Sequence, residues 1–211
     1  MSQLQLIETL RMEDGQIERL SYHEARYENA MSHFFPDGSR RRLIDILHRH
    51  GLSVHNPTLD YPGTWKIHVD YDAGTDAVEV TSYHPKPVSS LQLVTDNDID
   101  YSYKYADRHE LYRCLEERRD CDDVIIVKDG LLTDTSYSNI ALFDGSSWFT
   151  PRTPLLKGTM RAYLLDKRII KTADIRPTDL ASFKKVCLIN AMLSLDQLTV
   201  PINNIKGCLM D

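Results

Sequence analysis

Alternating apolar and polar residues predict two β-hairpins in the first part of the chain. The runs LQLIETLRM and QIERLSY flank a turn at Asp14 and Gly15, and an Asp-Gly pair is a strong signal for a hairpin turn. Two further alternating runs occupy residues 64–72 and 77–85, with a polar, glycine-containing turn between them. Each pair of runs is therefore expected to form antiparallel strands.

Helical spacing of apolar residues follows the first hairpin. We predict one helix within residues 23–35 and a second within residues 39–51. With the hairpins, these helices indicate a small α+β unit, and the acidic stretch at residues 95–102 is typical of a domain boundary. We accordingly expect a smaller N-terminal domain over residues 1–98 and a larger C-terminal domain over residues 99–211.

The second half of the chain alternates between helical and extended patterns. Its extended runs are short and rich in Val, Ile and Leu, as buried strands are. We predict, in order, a helix at residues 104–118, strands at 123–130, 138–145 and 147–151, a helix at 159–170, a short helix at 179–183, and strands at 185–190 and 199–202. Mixed helices and strands of this kind place the chain in the α/β (α+β) class.

Composition and charge favour a soluble globular protein over other classes. Hydrophobic residues make up 42% of the 211 residues, and 25 basic against 31 acidic side chains give a net charge of −6. This field repels nucleic-acid phosphates and anionic membranes, so we expect no nucleic-acid or membrane partner. The basic triplet at residues 40–42 is interpreted as a solvated helix face, with a local nucleic-acid patch as the alternative.

Cysteine and histidine patterns give no indication of a metal site. Four cysteines show neither a C-x-x-C pair nor zinc-ligand spacing, which favours reduced, buried thiols in a cytoplasmic protein. These cysteines are Cys114, Cys121, Cys187 and Cys208. No apolar run approaches the roughly 20 residues of a membrane helix, and no targeting segment is visible, so we expect a cytoplasmic location.

Three features could carry chemistry. Gly158 and Thr159 open a predicted helix, and free backbone N–H groups there can bind an anion, although most such residues only cap their helix. Lys104 stands among three tyrosines, a setting that could lower the pKa of an amine by desolvation, whereas most lysines are surface residues. Asp134 is a carboxylate among hydroxyl residues between two apolar strands, where a turn residue is the simpler interpretation.

In order and spacing, these features resemble the class IV aminotransferases, the pyridoxal 5'-phosphate (PLP) enzymes that include aminodeoxychorismate lyase and the branched-chain and D-amino acid aminotransferases. The most specific matches are an acidic-x4-N motif, a T-P pair and an L-x-G-x-x-R motif. The matching segments are I-E-T-L-R at 7–11, Y-H-E-A-R at 22–26, K-Y-A-D-R at 104–108, then 133–140, 150–151, 156–161 and N-A within 188–192. The resemblance covers nearly the whole chain and implies a two-domain D-amino acid aminotransferase-like fold with the cofactor between the domains.

The resemblance also implies roles for particular residues. Lys104 would form the Schiff base with PLP and then act as a base, and Asp134 would hold the proton of the pyridine nitrogen. The PLP phosphate would be bound by Arg26, Thr159, Met160, Asn190 and Ala191. Arg161 could instead be a partner that holds its loop. The family usually has Glu at the position of Asp134 and often Thr at that of Ala191.

Two activities and one inactive state follow from the resemblance. Thr9 occupies the position at which the lyase branch places a threonine near the substrate, so we favour 4-amino-4-deoxychorismate lyase, which yields 4-aminobenzoate and pyruvate. A branched-chain or D-amino acid aminotransferase is the alternative. A non-catalytic ligand-binding relative is the second alternative, because only six residues precede Ile7, where the family usually has another strand. The expected partners are a small amino substrate and a second copy of the chain in a homodimer.

Overall fold

A computed structural model describes residues 4–36, 41–52 and 61–207. The chain divides into two compact units. Unit 1 contains Met1–Pro85 and Tyr103–Asp107, and unit 2 contains Lys86–Ser102 and Arg108–Asp211. The first change of unit therefore comes earlier than the expected boundary at residue 98, because the segment before the acidic stretch forms a strand of unit 2.

Unit 1 is a four-stranded sheet in the order β2-β1-β3-β4 with two helices. Its elements are β1 Leu6–Glu13, β2 Gln16–Ile17, α1 Leu20–Phe34, α2 Leu43–Arg49, β3 Thr64–Tyr71 and β4 Asp76–Ser82. All the strand pairs are antiparallel. Asp14 and Gly15 adopt positive φ angles of 47° and 79° in the first turn, as a tight hairpin requires. The second predicted hairpin and both predicted helices are confirmed, with residues 39 and 40 outside the described part of the second helix segment. The first hairpin has the predicted turn, but its second strand is only Gln16–Ile17, because α1 begins at Leu20, before the predicted strand would end at Tyr22.

The core of unit 1 forms where one face of α1 packs on β1. The helix buries His23, Tyr27, Ala30 and Met31, which recur at helical spacing. Alternate residues of β1 join the same core, and they include Leu6, Leu10 and Met12. The alternation that predicted the strand therefore also defines its buried face.

Unit 2 contains two sheets, β10-β9-β8-β11-β12 and β13-β5-β6-β7. Its elements are β5 Leu91–Thr95, α3 His109–Glu116, β6 Asp123–Lys128, β7 Leu131–Leu132, β8 Asn139–Phe143, β9 Trp148–Pro151, α4 Thr159–Asp166, β10 Ile170–Ala173, β11 Lys185–Ile189, β12 Thr199–Pro201 and β13 Ile205–Lys206, with 3₁₀ turns at Pro177–Ser182 and Ile202–Asn204. Strands β5 and β6 pair in parallel, and α3 lies in the connection between them, which is the usual arrangement for parallel neighbours.

Two predicted helices are shorter than their sequence patterns. The helix expected at residues 104–118 begins only at His109, because the preceding segment pairs with β1: the Ile7 N–H donates to the Lys104 carbonyl oxygen at 2.9 Å. The helix expected at 159–170 ends at Asp166, because Ile170 begins a strand that pairs in parallel with β9. Backbone pairing with distant strands thus overrides the local helical pattern.

Two residues of the basic triplet form ion pairs within unit 1. Arg41 Nη1 lies 2.6 Å from Asp76 Oδ2, and Arg42 Nη2 lies 2.8 Å from Asp45 Oδ1, whereas Arg40 falls outside the described residues. Within the described ranges, no helix has the length and apolar character needed to cross a membrane. The thiols of Cys114, Cys121 and Cys187 are free and buried, and Cys208 falls outside the described residues.

Candidate active site

Asp134 lies in a buried loop of unit 2 between β7 and β8. Its side chain accepts hydrogen bonds from neighbouring groups: Asn139 Nδ2 lies 2.9 Å from Oδ1, and the Leu156 backbone N–H donates to Oδ2 at 2.9 Å. Burial raises the pKa of this carboxyl to about 7, although these hydrogen bonds and the Arg161 charge oppose the rise. Asp134 can therefore hold or release a proton near neutral pH.

Asn139 connects the Asp134 loop to the start of α4. Its amide nitrogen also donates to the Leu156 carbonyl oxygen at 2.8 Å, two residues before Gly158. A Cβ atom on Gly158 would overlap Asn139 Oδ1, so this position accepts only glycine without a shift of the asparagine. The acidic-x4-N and L-x-G motifs thus meet at one close contact.

Helix α4 presents its first turn beside this contact. Gly158 is the N-cap in an extended conformation, and Thr159 and Met160 are buried directly after it. The first N–H groups of an α-helix have no intrahelical partner and attract anions. The Arg161 side chain points elsewhere: it donates from Nη2 to the Pro151 carbonyl oxygen at 2.8 Å and from Nε to Thr150 Oγ1 at 3.2 Å.

Asn190 brings a second turn to the Asp134 loop. Its Nδ2 donates to Ser138 Oγ at 2.9 Å, next to Asn139 in the chain. Its Oδ1 accepts from the N–H groups of Met192 at 2.8 Å and Leu193 at 3.0 Å. The turn that contains Ala191 is therefore fixed by the Asn190 side chain.

In unit 1, Arg26 is held by a carboxylate that the sequence motifs did not single out. Glu8 is fully buried on β1 and accepts from Arg26 Nε at 2.7 Å and Nη2 at 2.6 Å. His23 Nδ1 lies 2.7 Å from the same carboxylate. Burial alone would raise the pKa of Glu8, but Arg26 and His23 outweigh it and lower the pKa to about 2. The alternation of β1 could have revealed Glu8, since it is the charged residue between the buried Leu6 and Leu10.

Thr9 lies on the face of β1 opposite Glu8, and Lys104 lies in a segment that pairs with this strand. Thr9 is half-buried and sits opposite His68 of β3. Tyr105 forms a bridge with Leu6, and the Lys104 carbonyl oxygen accepts from the Ile7 N–H, so Lys104 lies in the segment that pairs with the start of β1. The lysine is half-buried.

The site residues expected from the sequence thus fall into two groups. Thr9, Arg26 and Lys104 belong to unit 1, on β1, α1 and the segment paired with β1. Unit 2 brings Asp134, Asn190 and the start of α4 together through Asn139, Ser138 and Leu156. Among the residues that the structure describes, no group of three or more His, Cys, Asp or Glu side chains is arranged to hold a metal ion.

Comparisons with known proteins agree with the motifs. Residues 5–202 match the family model described as amino-transferase class IV. An uncharacterized protein of Haemophilus influenzae is 33% identical over 190 residues, which is 90% of this chain and 98% of the relative.

Solved structures of similar proteins share the fold. A protein of Haemophilus somnus 129PT, provisionally named 4-amino-4-deoxychorismate lyase, superposes with a TM-score of 0.82 at 33% identity, covering 92% of this chain and 100% of that one. A protein of Mesorhizobium loti, provisionally named amino-acid aminotransferase, superposes with a TM-score of 0.73 at 22% identity. The match covers 93% of this chain and 98% of that one. With the family match over nearly the whole sequence, these likenesses establish that the chain belongs to the class IV aminotransferases, a family of PLP-dependent enzymes.

Proposed function

We propose that this protein is a PLP-dependent 4-amino-4-deoxychorismate lyase, which releases pyruvate and leaves 4-aminobenzoate. The observation that carries the proposal is the buried Asp134 carboxyl, clamped by Asn139 and Leu156 and able to exchange a proton near neutral pH. The choice of lyase rests on Thr9 in β1 and on the 33% identity to the Haemophilus somnus protein that carries the lyase name.

The side chains present fit PLP at its ring nitrogen. When bound, PLP supplies an aldehyde for amines and a ring that accepts electrons, and this requires a protonated pyridine nitrogen. In the proposal, Asp134 shares its proton with that nitrogen. Asn139 and the Leu156 N–H hold the Asp134 carboxyl from two sides.

The proposal keeps the phosphate contacts that the resemblance implies. Thr159 and Met160 offer backbone N–H groups at the start of α4. Directly before them, Gly158 lets the backbone pass close to the Asn139 side chain. Asn190 and Ala191 supply a second turn, fixed by the hydrogen bond to Ser138. Arg26 supplies the cationic partner, and its planar guanidinium suits a dianion.

Lys104 supplies the amine that holds PLP through the cofactor aldehyde. The Nζ atom of Lys104 would also serve as the base that takes a proton from the substrate and returns it. Thr9 lies on β1, the strand with which the Lys104 segment pairs, and in the proposal its hydroxyl orients the substrate next to this base. Thr9 thereby distinguishes elimination from simple amine transfer.

An amino-acid aminotransferase is the second candidate, favoured by the fold shared with the Mesorhizobium loti protein. The two activities differ in their need for an acceptor. We expect the purified protein to form pyruvate from 4-amino-4-deoxychorismate without any keto acid, whereas an aminotransferase would need 2-oxoglutarate with an amino acid. Pyruvate formation that depends on a keto acid would contradict the lyase, and failure to take up PLP would contradict both enzymes.

Two variants sharpen the test. Lys104→Ala should show no absorption from PLP bound to the protein, because the variant lacks the amine. Borohydride reduction should therefore attach PLP to the wild-type chain and not to this variant. Thr9→Val keeps the shape of the side chain and removes its hydroxyl, so it should bind PLP normally and lower the rate of pyruvate release at least about tenfold. A Thr9→Val rate equal to the wild-type rate would remove the argument for the lyase branch.

We also propose a cytoplasmic homodimer that acts on a small amino substrate. The free, buried thiols of Cys114, Cys121 and Cys187 are in keeping with a reducing compartment. Light scattering of the purified protein should give twice the chain mass of 24.3 kDa, and a monomeric mass would contradict the dimer.

A further inference from the structure

A fully buried carboxylate in unit 1 requires an explanation beyond packing. Glu8 lies between Leu6 and Leu10 on the core face of β1, where the neighbouring side chains are apolar. Removing a carboxylate from water costs several kcal/mol unless charged partners and hydrogen bonds compensate, and an apolar residue would fill such a position without that penalty. Glu8 therefore points to a role that needs its negative charge and its two oxygens.

The contact between Glu8 and Arg26 fixes the plane of the guanidinium. Nε donates to one carboxylate oxygen at 2.7 Å and Nη2 donates to the other at 2.6 Å, which is a side-on bidentate pair. Two of the five N–H groups of Arg26 point at Glu8, so the Nη1 edge of the rigid, planar group points away from it. Glu8 thereby determines where Arg26 directs its remaining donors.

His23 in turn fixes Glu8 without changing the charge of the cluster. Burial lowers the pKa of His23 below its ordinary value, so the ring is neutral at neutral pH. Since a carboxylate can only accept, the 2.7 Å contact assigns the ring proton to Nδ1. The cluster of Glu8, His23 and Arg26 then has no net charge, and each of its members is held by another.

We propose that Glu8, oriented by His23, is a positioning residue that aims Arg26 at the PLP phosphate and so sets the preference for phosphorylated over unphosphorylated cofactor. This inference rests on the proposed function, in which Arg26 binds that phosphate. Glu8 itself touches neither the cofactor nor the substrate in the proposal. Its effect is therefore confined to the phosphate-dependent part of cofactor affinity.

The experiment compares the dissociation constants of PLP and of pyridoxal, which lacks the phosphate, for the apoprotein of the full chain. The ratio of the two constants isolates the phosphate contribution. Arg26→Gln should lower this preference about 100-fold, and Glu8→Gln should lower it about tenfold, with pyridoxal affinity unchanged in both. The double variant should be no worse than Arg26→Gln alone, because Glu8 acts through Arg26.

Matched variants separate positioning from general stability. Glu13→Gln breaks another arginine–glutamate contact on β1, in which Arg11 Nη2 lies 2.8 Å from Glu13, and should leave the ratio unchanged. His23→Asn keeps a donor near the position of Nδ1 and should retain most of the preference, whereas His23→Leu should lose part of it. Comparison of the two His23 variants tests the proposal even where Glu8→Gln folds poorly.

The outcomes are distinguishable. A preference unchanged in Arg26→Gln would overturn the proposed role of Arg26 in phosphate binding. A preference lowered in Arg26→Gln but unchanged in Glu8→Gln and His23→Leu would overturn the positioning role alone. Equal losses of PLP and pyridoxal affinity in Glu8→Gln would show a merely structural residue and would also overturn it.

Discussion

Asn139 holds Asp134 and the backbone of Leu156 with one amide nitrogen, at 2.9 Å and 2.8 Å. Asn139→Ala should therefore lower the free energy of unfolding by about 1–3 kcal/mol, because a buried carboxyl and a buried carbonyl each lose a donor. Urea unfolding of the apoprotein measures this loss. The control is Asn203→Ala at an exposed position, and its free energy of unfolding should stay within about 0.5 kcal/mol of the wild-type value. Equal stabilities of the two variants would contradict the clamp.

Gly158→Ala should disturb the same region by a different route. Its new methyl group would overlap Asn139 Oδ1 and displace the asparagine, at a cost of about 1–3 kcal/mol. Gly74→Ala is the matched control, because its new methyl group would point into open space and its φ is not positive. Thermal unfolding should show a lowered Tm for Gly158→Ala and little change for Gly74→Ala. A Gly158→Ala protein as stable as the control would mean that Asn139 can move freely.

The stability of the apoprotein should depend on the proton of Asp134. Its folded pKa of about 7 lies above the ordinary value of an aspartate, so its contribution is fully present below about pH 4 and is lost as the pH rises through 7. Between pH 4 and pH 8, the free energy of unfolding of the wild type should fall by about 2–4 kcal/mol relative to that of Asp134→Asn. Urea unfolding at several pH values measures the difference. The free energy of unfolding of Asp120→Asn, a substitution at an exposed position, should change with pH as that of the wild type does.

Arg161 should contribute to stability through its loop contacts. Replacing it by Met removes donors to Thr150 and to the Pro151 carbonyl oxygen inside unit 2, so we expect a loss of about 2–4 kcal/mol. Arg152→Met removes a pair with Asp174 whose side chains are both more than half exposed, and should cost less than about 1 kcal/mol. Chemical denaturation of both variants provides the comparison. Similar losses would contradict a buried structural role for Arg161.

Local patterns in the sequence predicted the elements that depend on neighbouring residues. The Asp14-Gly15 turn and the alternation of β1 and β3 specify the hairpins directly. Strands β5 and β10 escaped prediction, since both form parallel pairs with strands that are distant in the chain. A short apolar run does not show whether such a partner exists.

In the candidate site, too, the sequence predicted local features and missed contacts between residues that are distant in the chain. The resemblance to the family predicted roles for Asp134 and Arg26, and both stay predictions. The motifs did not identify Glu8 as the partner of Arg26, because that pairing joins a strand to a helix across the core. The helical pattern of residues 104–118 also placed Lys104 at a helix start, whereas its segment pairs with β1.

The segment Tyr103–Asp107 makes unit 1 discontinuous, since the chain completes β5 of unit 2 before this segment returns to β1. During synthesis on the ribosome, the N-terminal unit can acquire the backbone hydrogen bonds from Ile7 to Lys104 and from Ala106 to Gln5 only after this segment has left the exit tunnel. A fragment that stops at Pro85 omits the lysine and the edge that carries it. Gene truncation at the first change of unit therefore separates Lys104 from β1, the strand with which its segment pairs.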